Sequence, residues 1–148
     1  MYSKKHPNIG EVYAVSFDKN AHEQAGWRPA VIVQNKLGNV FGKNVVVLPI
    51  TSTLKRVDMI THVVLNADDT GLRMDSMVLC ENPVTIPKSY LRKHITTLND
   101  AYMKKIAKAY MLASGLTVYL DSDDFASIRD EAIILNKTEE GEGSGPRG

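Results

Sequence analysis

Glu23-Gln24-Ala25-Gly26-Trp27-Arg28-Pro29-Ala30-Val31-Ile32-Val33 passes from a polar loop into an uninterrupted apolar run. Pro29 restricts Arg28 to an extended backbone, and a proline opening a strand gives up a donor where the ladder can spare it. The β-branched run behind it reads as a buried strand of ordinary length. Val45-Val46-Val47-Leu48-Pro49-Ile50-Thr51-Ser52 repeats the pattern and ends in two hydroxyls. Two stiff strands, one tipped by an arginine and the other by a threonine, can hold a phosphate between them.

Outward from this pair, further short strands are expected at Glu11–Phe17, His62–Leu65 and Ser76–Cys80. Between them stand turn signals: Gly38-Asn39, Gly42-Lys43-Asn44, the stretch 67–71, Pro83 and Pro87. Five or six short strands at close intervals predict a small, strongly curled antiparallel sheet or barrel. One helix stands out. Asn99 is a suitable N-cap, Asp100 suits the positive end of the helix dipole, and Met103, Ile106, Tyr110 and Ala113 recur at helical spacing. Gly115 is the expected stop. The chain therefore divides into a β-rich body over 9–120 and an acidic extension over 121–148. In that extension a short helix reaches Leu135 and the rest lacks apolar residues to bury.

Net charge is only +1, but it is unevenly spread. Residues 1–120 carry 15 Lys and Arg against 9 Asp and Glu; residues 121–148 carry 3 against 8. A basic body points to an anionic partner, and the acidic tail is then either a screen folded over that body or a solubilising appendage. The N-terminus has positive charge without an apolar run behind it, so no signal peptide is expected, and no segment has the roughly 20 apolar residues needed to span a membrane. The single cysteine, Cys80, allows no internal disulfide. It fits a reducing, cytoplasmic setting and reads as a small buried hydrophobe.

No phosphate-binding P-loop, G-x-S-x-G turn or C-x-x-C pair is present. His6, His22, His62 and His94 are scattered without metal-ligand spacing, so neither a metal nor another cofactor is expected. Arg28 is either a phosphate ligand or a structural arginine bound to carbonyls. Thr51 and Ser52 either donate to phosphate oxygens or cap a turn. Lys55 and Arg56 add charge beside those hydroxyls or belong to a solvated loop. Glu23 and Gln24 lie just before Arg28, where a carboxylate serves as general base, ion-pair partner or free surface charge. Trp27, the only tryptophan, either stacks on a base or plugs the mouth of the barrel.

The order of these motifs resembles the MazF/PemK-type toxins of toxin–antitoxin systems. It runs Gly10-Glu11-Val12-Tyr13, Glu23-Gln24-x-Gly-x-Arg28-Pro29, Val33-Gln34-Asn35 and Pro49-Ile50-Thr51-Ser52, then Thr61-His62-Val63, Asp75-Ser76-Met77-Val78-Leu79 and Ser114-Gly115-Leu116. The resemblance spans roughly 9–116. It implies a mainly β fold with α, a small SH3-like antiparallel barrel of the CcdB/MazF type with a C-terminal helix, assembled as a homodimer. It also implies a metal-independent endoribonuclease that cuts single-stranded mRNA at short sequences and is neutralised by a cognate antitoxin. On this resemblance Arg28 and Thr51 are the catalytic pair and Glu23 the family's glutamate. Gln24, Trp27, Ser52, Lys55, Arg56, Glu81 and Asn82 are candidates to bind RNA. One departure stands in Glu81-Asn82-Pro83-Val84, where many members carry an arginine after the apolar residue; Asn82 still offers an amide. Two rival readings share the barrel: a CcdB-like gyrase poison without nuclease activity, and a barrel that binds RNA or a partner without cutting.

Overall fold

The computed structural model describes residues 6–17 and 26–144, with side chains as far as Lys137. Seven strands form one antiparallel sheet: β1 (Glu11–Ser16), β2 (Trp27–Ile32), β3 (Asn44–Thr51), β4 (His62–Leu65), β5 (Ser76–Leu79), β6 (Val84–Pro87) and β7 (Leu91–Thr97). The strand order is β4-β5-β3-β2-β1-β7, with β6 also paired to β3. The curled sheet expected from sequence is present. Among the described residues no ladder joins β4 to β7, so the curl does not close through hydrogen bonds.

The centre of the sheet is buried on both faces, and this explains why β2 and β3 read as continuous apolar runs rather than alternating ones. Val12, Val31, Leu48 and Ile50 point to one core, with Val63, Leu65, Leu72, Val78, Leu98 and Ile106. Val15, Ala30, Ile32, Val45 and Val47 point to another, closed by Ile86 with Tyr13, Val84 and Leu91 against it. Each fully buried Val, Leu or Ile contributes on the order of 1.5–3 kcal/mol of transfer free energy. Cys80 is fully buried in the first core. Burial, helped by the neighbouring Glu81 charge, pushes its thiol up to about 12, so it packs as an apolar group.

Four α-helices, α1 (Lys36–Phe41), α2 (Ala67–Thr70), α3 (Asp100–Ala113) and α4 (Ser122–Ser144), accompany the sheet, with short 3-10 turns at Lys88–Tyr90 and Gly115–Tyr119. In α3 the Asn99 side chain accepts from the Tyr102 amide at 2.9 Å, the expected cap. The buried side of α3 is Tyr102, Ile106 and Ala109, with Met103 and Tyr110 partly covered. The helix ends at Ser114, one residue before Gly115.

Strands β6 and β7 were not expected from sequence. β6 carries a proline and lies at the sheet margin, and the polar Arg92-Lys93-His94 of β7 masks its strand character. Helix α1 replaces an expected turn at Gly38-Asn39, its start capped by Asn35 Oδ1 accepting from the Gly38 amide. The extension departs most. Its helix continues to Ser144 instead of ending near Leu135, with no proline before Pro146 to stop it. Its later half packs on α1, where Asn136 Oδ1 accepts from the Lys36 amide at 2.9 Å. Helix α1 joins the end of β2 to the start of β3, so it sits at the pole opposite Arg28 and Thr51. Six residues of strand put those poles roughly 20 Å apart. The docked part of the acidic helix therefore does not cover the Arg28 end of the body.

Candidate active site

Antiparallel pairing of β2 with β3 brings the first residue pair of one strand to the last of the other. Arg28, near the start of β2, thus shares an end of the sheet with Thr51, the last residue of β3. Arg28 is exposed, and its side chain makes no hydrogen bond or ion pair among the described residues. An extended backbone before Pro29 projects its guanidinium from a strand whose last three residues, Ala30, Val31 and Ile32, are anchored in the core.

Around Arg28 opens a cleft of about 530 Å³ lined by Trp27, Pro29, Ser52, Arg73, Lys93 and His94, with Leu72 and Ser76 beneath. Three of the sequence candidates meet here: Arg28, the half-buried Trp27, and Ser52. Thr51 sits beside them. Its Oγ1 accepts from the Thr53 amide at 3.1 Å, which caps the turn and leaves the hydroxyl proton to be donated. Both readings of Thr51, turn cap and donor, are thus compatible in one side chain. Glu23 and Gln24 lie outside the described residues.

The remaining candidates gather elsewhere. His62 on β4 links the Arg56 carbonyl, 2.9 Å from Nδ1, to the Glu81 carboxylate, 3.0 Å from Nε2. Arg56 takes a left-handed φ of 54°, which turns its carbonyl toward His62. Burial draws the His62 pKa down, but the Arg56 carbonyl and the Glu81 carboxylate outweigh it and leave the pKa raised. Glu81 responds in kind: burial raises its pKa, while hydrogen bonds to its charged form, including that from His62, leave it lowered. Ser76 lines the cleft at one end of β5, and Glu81 and Asn82 follow the other end, roughly 15 Å along the chain. Lys55, Arg56, Glu81 and Asn82 do not line the Arg28 cleft of this single chain.

Arg73, Lys93 and His94 were missed from sequence. Arg73 lies in a turn-rich loop and Lys93 in an unrecognised strand; only the sheet register brings them together. The signal available in advance was an arginine three residues before the expected strand at Ser76. His94 packs edge-on against Tyr13, with ring centroids 5.6 Å apart, and its Nε2 lies 3.1 Å from Thr97 Oγ1. Burial and the Glu11 carboxylate, which accepts from its hydroxyl at 3.1 Å, push Tyr13 up to about 12, so it stays protonated. Among the described residues no three His, Cys, Asp or Glu side chains converge as metal ligands.

Comparison with known proteins agrees with this architecture. Residues 8–113 match the family model described as PemK-like, MazF-like toxin of type II toxin–antitoxin system. Endoribonuclease MazF of Staphylococcus saprophyticus is 34% identical over 108 residues, 72% of this chain and 90% of that protein. Endoribonuclease EndoA of Bacillus subtilis is 36% identical over 94 residues, 64% of this chain and 81% of its own. A mycobacterial endoribonuclease solved in complex with its cognate antitoxin superposes with a TM-score of 0.62 at 27% identity, covering 74% of this chain and 96% of that one. The family match ends before α4 begins. With the family model covering most of the chain and the same curled sheet in its solved relatives, this protein belongs to the PemK-like, MazF-like toxins of type II toxin–antitoxin systems.

Proposed function

We propose that the chain is an endoribonuclease toxin that cuts single-stranded mRNA with the substrate's own 2′-hydroxyl as nucleophile. The observation that carries this is Arg28, a guanidinium without a partner among the described residues, on a rigid strand and in a cleft shared with hydroxyls and further cations. Endoribonuclease relatives at 34–36% identity support the same activity.

In this mechanism the 2′-oxygen attacks the adjacent phosphorus while its proton passes to a base. The P–O5′ bond breaks, and the departing oxygen takes up a proton. The products are a 2′,3′-cyclic phosphate and a 5′-hydroxyl, so the reaction consumes no water and requires no metal-activated nucleophile. Arg28 stabilises the charge that builds on the phosphorane, a role whose loss costs about 10²–10³ in rate for a single preorganised donor. Thr51 donates its free hydroxyl proton to a nonbridging oxygen. Glu23 is the candidate base. Ser52 adds a second hydroxyl at the cleft wall, and Trp27 offers a face for a base.

Residues 9–120 carry this activity and 121–148 form an appendage to it. The working unit is a homodimer: Leu112, Leu116, Val118 and Tyr119 are 54–81% exposed in the single chain, an apolar run that a second copy would cover. Lys55, Arg56, Glu81 and Asn82 remain candidates for RNA contact within that assembly. The antitoxin partner presents an acidic, partly disordered segment to the cationic cleft, in the cytoplasm where mRNA is found. Incubating the purified protein with a long RNA in chelator tests the reading. Fragments ending in cyclic phosphate are expected. No effect on RNA would favour a gyrase-poison function on the same fold, and a mobility shift without fragments would favour an inactive binder.

A further inference from the structure

The loop between α2 and β5 is pinned on both sides of two free side chains. Gly71 turns the chain with φ +82°, a conformation L side chains rarely adopt, and Leu72 is buried in the core beneath. Thr96 on β7 donates to the Thr70 carbonyl at 2.6 Å. On the far side, the Asp75 carboxylate accepts from the Ala67 amide at 2.7 Å, and the buried Ser76 hydroxyl donates to the Met74 carbonyl at 2.8 Å. Held between these ties, Arg73 and Met74 are exposed and both line the Arg28 cleft.

Lys93 faces the same cleft from another support. It pairs with Ala14 across β1 and β7, and Ala14 pairs with Pro29 across β1 and β2. Directly paired residues share a face, so Pro29, Ala14 and Lys93 form one row with about 10 Å between its ends. Arg28 precedes Pro29 and so starts on the other face of β2, but it stands at the open end of that strand, and Arg28, Arg73 and Lys93 all line the one cleft from three separate elements. Among the described residues none of the three makes an ion pair or side-chain hydrogen bond, and no carboxylate lines the cleft. One phosphate requires one guanidinium fork. Three separated cations with no carboxylate partner among the described residues, set around one cleft, match successive phosphates of a single strand and repel one another without it.

We infer that Arg73 and Lys93 are RNA-positioning residues, each gripping a phosphate that flanks the one held at Arg28. The inference rests on the ribonuclease reading and specifies how that site holds its substrate. Neither residue touches the reacting phosphorus, so their loss removes binding that is equal in ground and transition states: KM rises and kcat holds. Each lost phosphate contact also flattens the plot of log affinity against log salt by about 0.7 for a single strand.

The experiment measures binding of the full chain to a mixed-sequence 2′-O-methyl RNA, which lacks the nucleophile, over a salt series. Cleavage of unmodified RNA is followed in parallel. Arg73→Gln and Lys93→Gln are each expected to lower the slope by about 0.7 and to raise KM without changing kcat, and the double variant to lower the slope by about 1.4. Arg92→Gln removes the same charge from the residue next to Lys93 but outside the cleft lining, and is expected to keep the wild-type slope. A wild type that cleaves RNA while Arg73→Gln and Lys93→Gln retain its slope overturns this inference alone. Equal slope changes in Arg92→Gln also overturn it, because the effect is then diffuse charge. A wild type that neither binds nor cuts RNA overturns the ribonuclease reading and this inference with it.

Discussion

Arg28 is exposed, its side chain has no partner among the described residues, and it projects from a strand whose stability comes from Ala30, Val31 and Ile32. Arg28→Ala should therefore leave the thermal unfolding midpoint close to that of the wild type while lowering the cleavage rate roughly 10²-fold or more. A parallel loss of folded protein would instead mark a structural arginine. This residue was legible in sequence because its placement depends on local chemistry: Pro29 fixes the backbone, and the apolar run behind it fixes the strand. Ser52 and Trp27 were legible for the same reason, lying next to the same two strands. Arg73 and Lys93 were not. Their approach to Arg28 depends on a register running from β7 through β1 to β2, with shifts between Val12 and Tyr13 and between Ala14 and Val15 that no local pattern announces.

Among elements, the loop from Ser52 to Ile60 is tied to the sheet chiefly through His62, which holds the Arg56 carbonyl and the Glu81 carboxylate together. The sign of its pH dependence follows from the two shifts. His62 has a raised pKa, so its contribution is full below the ordinary histidine range and is lost as pH rises through the raised value. Glu81 has a lowered pKa, so its contribution is full above the ordinary carboxylate range and is lost as pH falls through the lowered value. The tie is therefore strongest at roughly pH 5–6, between the two reference values. His62→Asn should lower stability there by less than about 1 kcal/mol, as for other partly exposed ion pairs, and the difference from wild type should shrink toward pH 8. Denaturant midpoints of both proteins at the two pH values check this. A difference that grows with pH would contradict the assignment. The strands and α3 were readable from periodicity and the Asn99 cap, whereas β6, β7 and α1 hide behind proline, charge and glycine that tertiary packing overrides.

At the scale of the whole molecule, two cores on opposite faces of one sheet make a rigid wall, and the cleft opens at the end where β2 begins and β3 finishes. The later half of the acidic helix docks at the other pole through Asn136 and α1, away from the cationic opening. Composition revealed that charge asymmetry, but only the fold shows where the docked half of the helix lies. No described helix is long and apolar enough to cross a membrane. The central claim is that the RNA supplies its own nucleophile to a phosphate held at Arg28. The most direct measurement takes one oligoribonucleotide cut by the protein and a copy with a single deoxyribose 5′ to the scissile phosphate, both in excess chelator. The account predicts full cleavage of the first, with a 2′,3′-cyclic phosphate end, and none of the second at that bond. Cleavage of both at the same bond, or loss of the first to chelator, would contradict it.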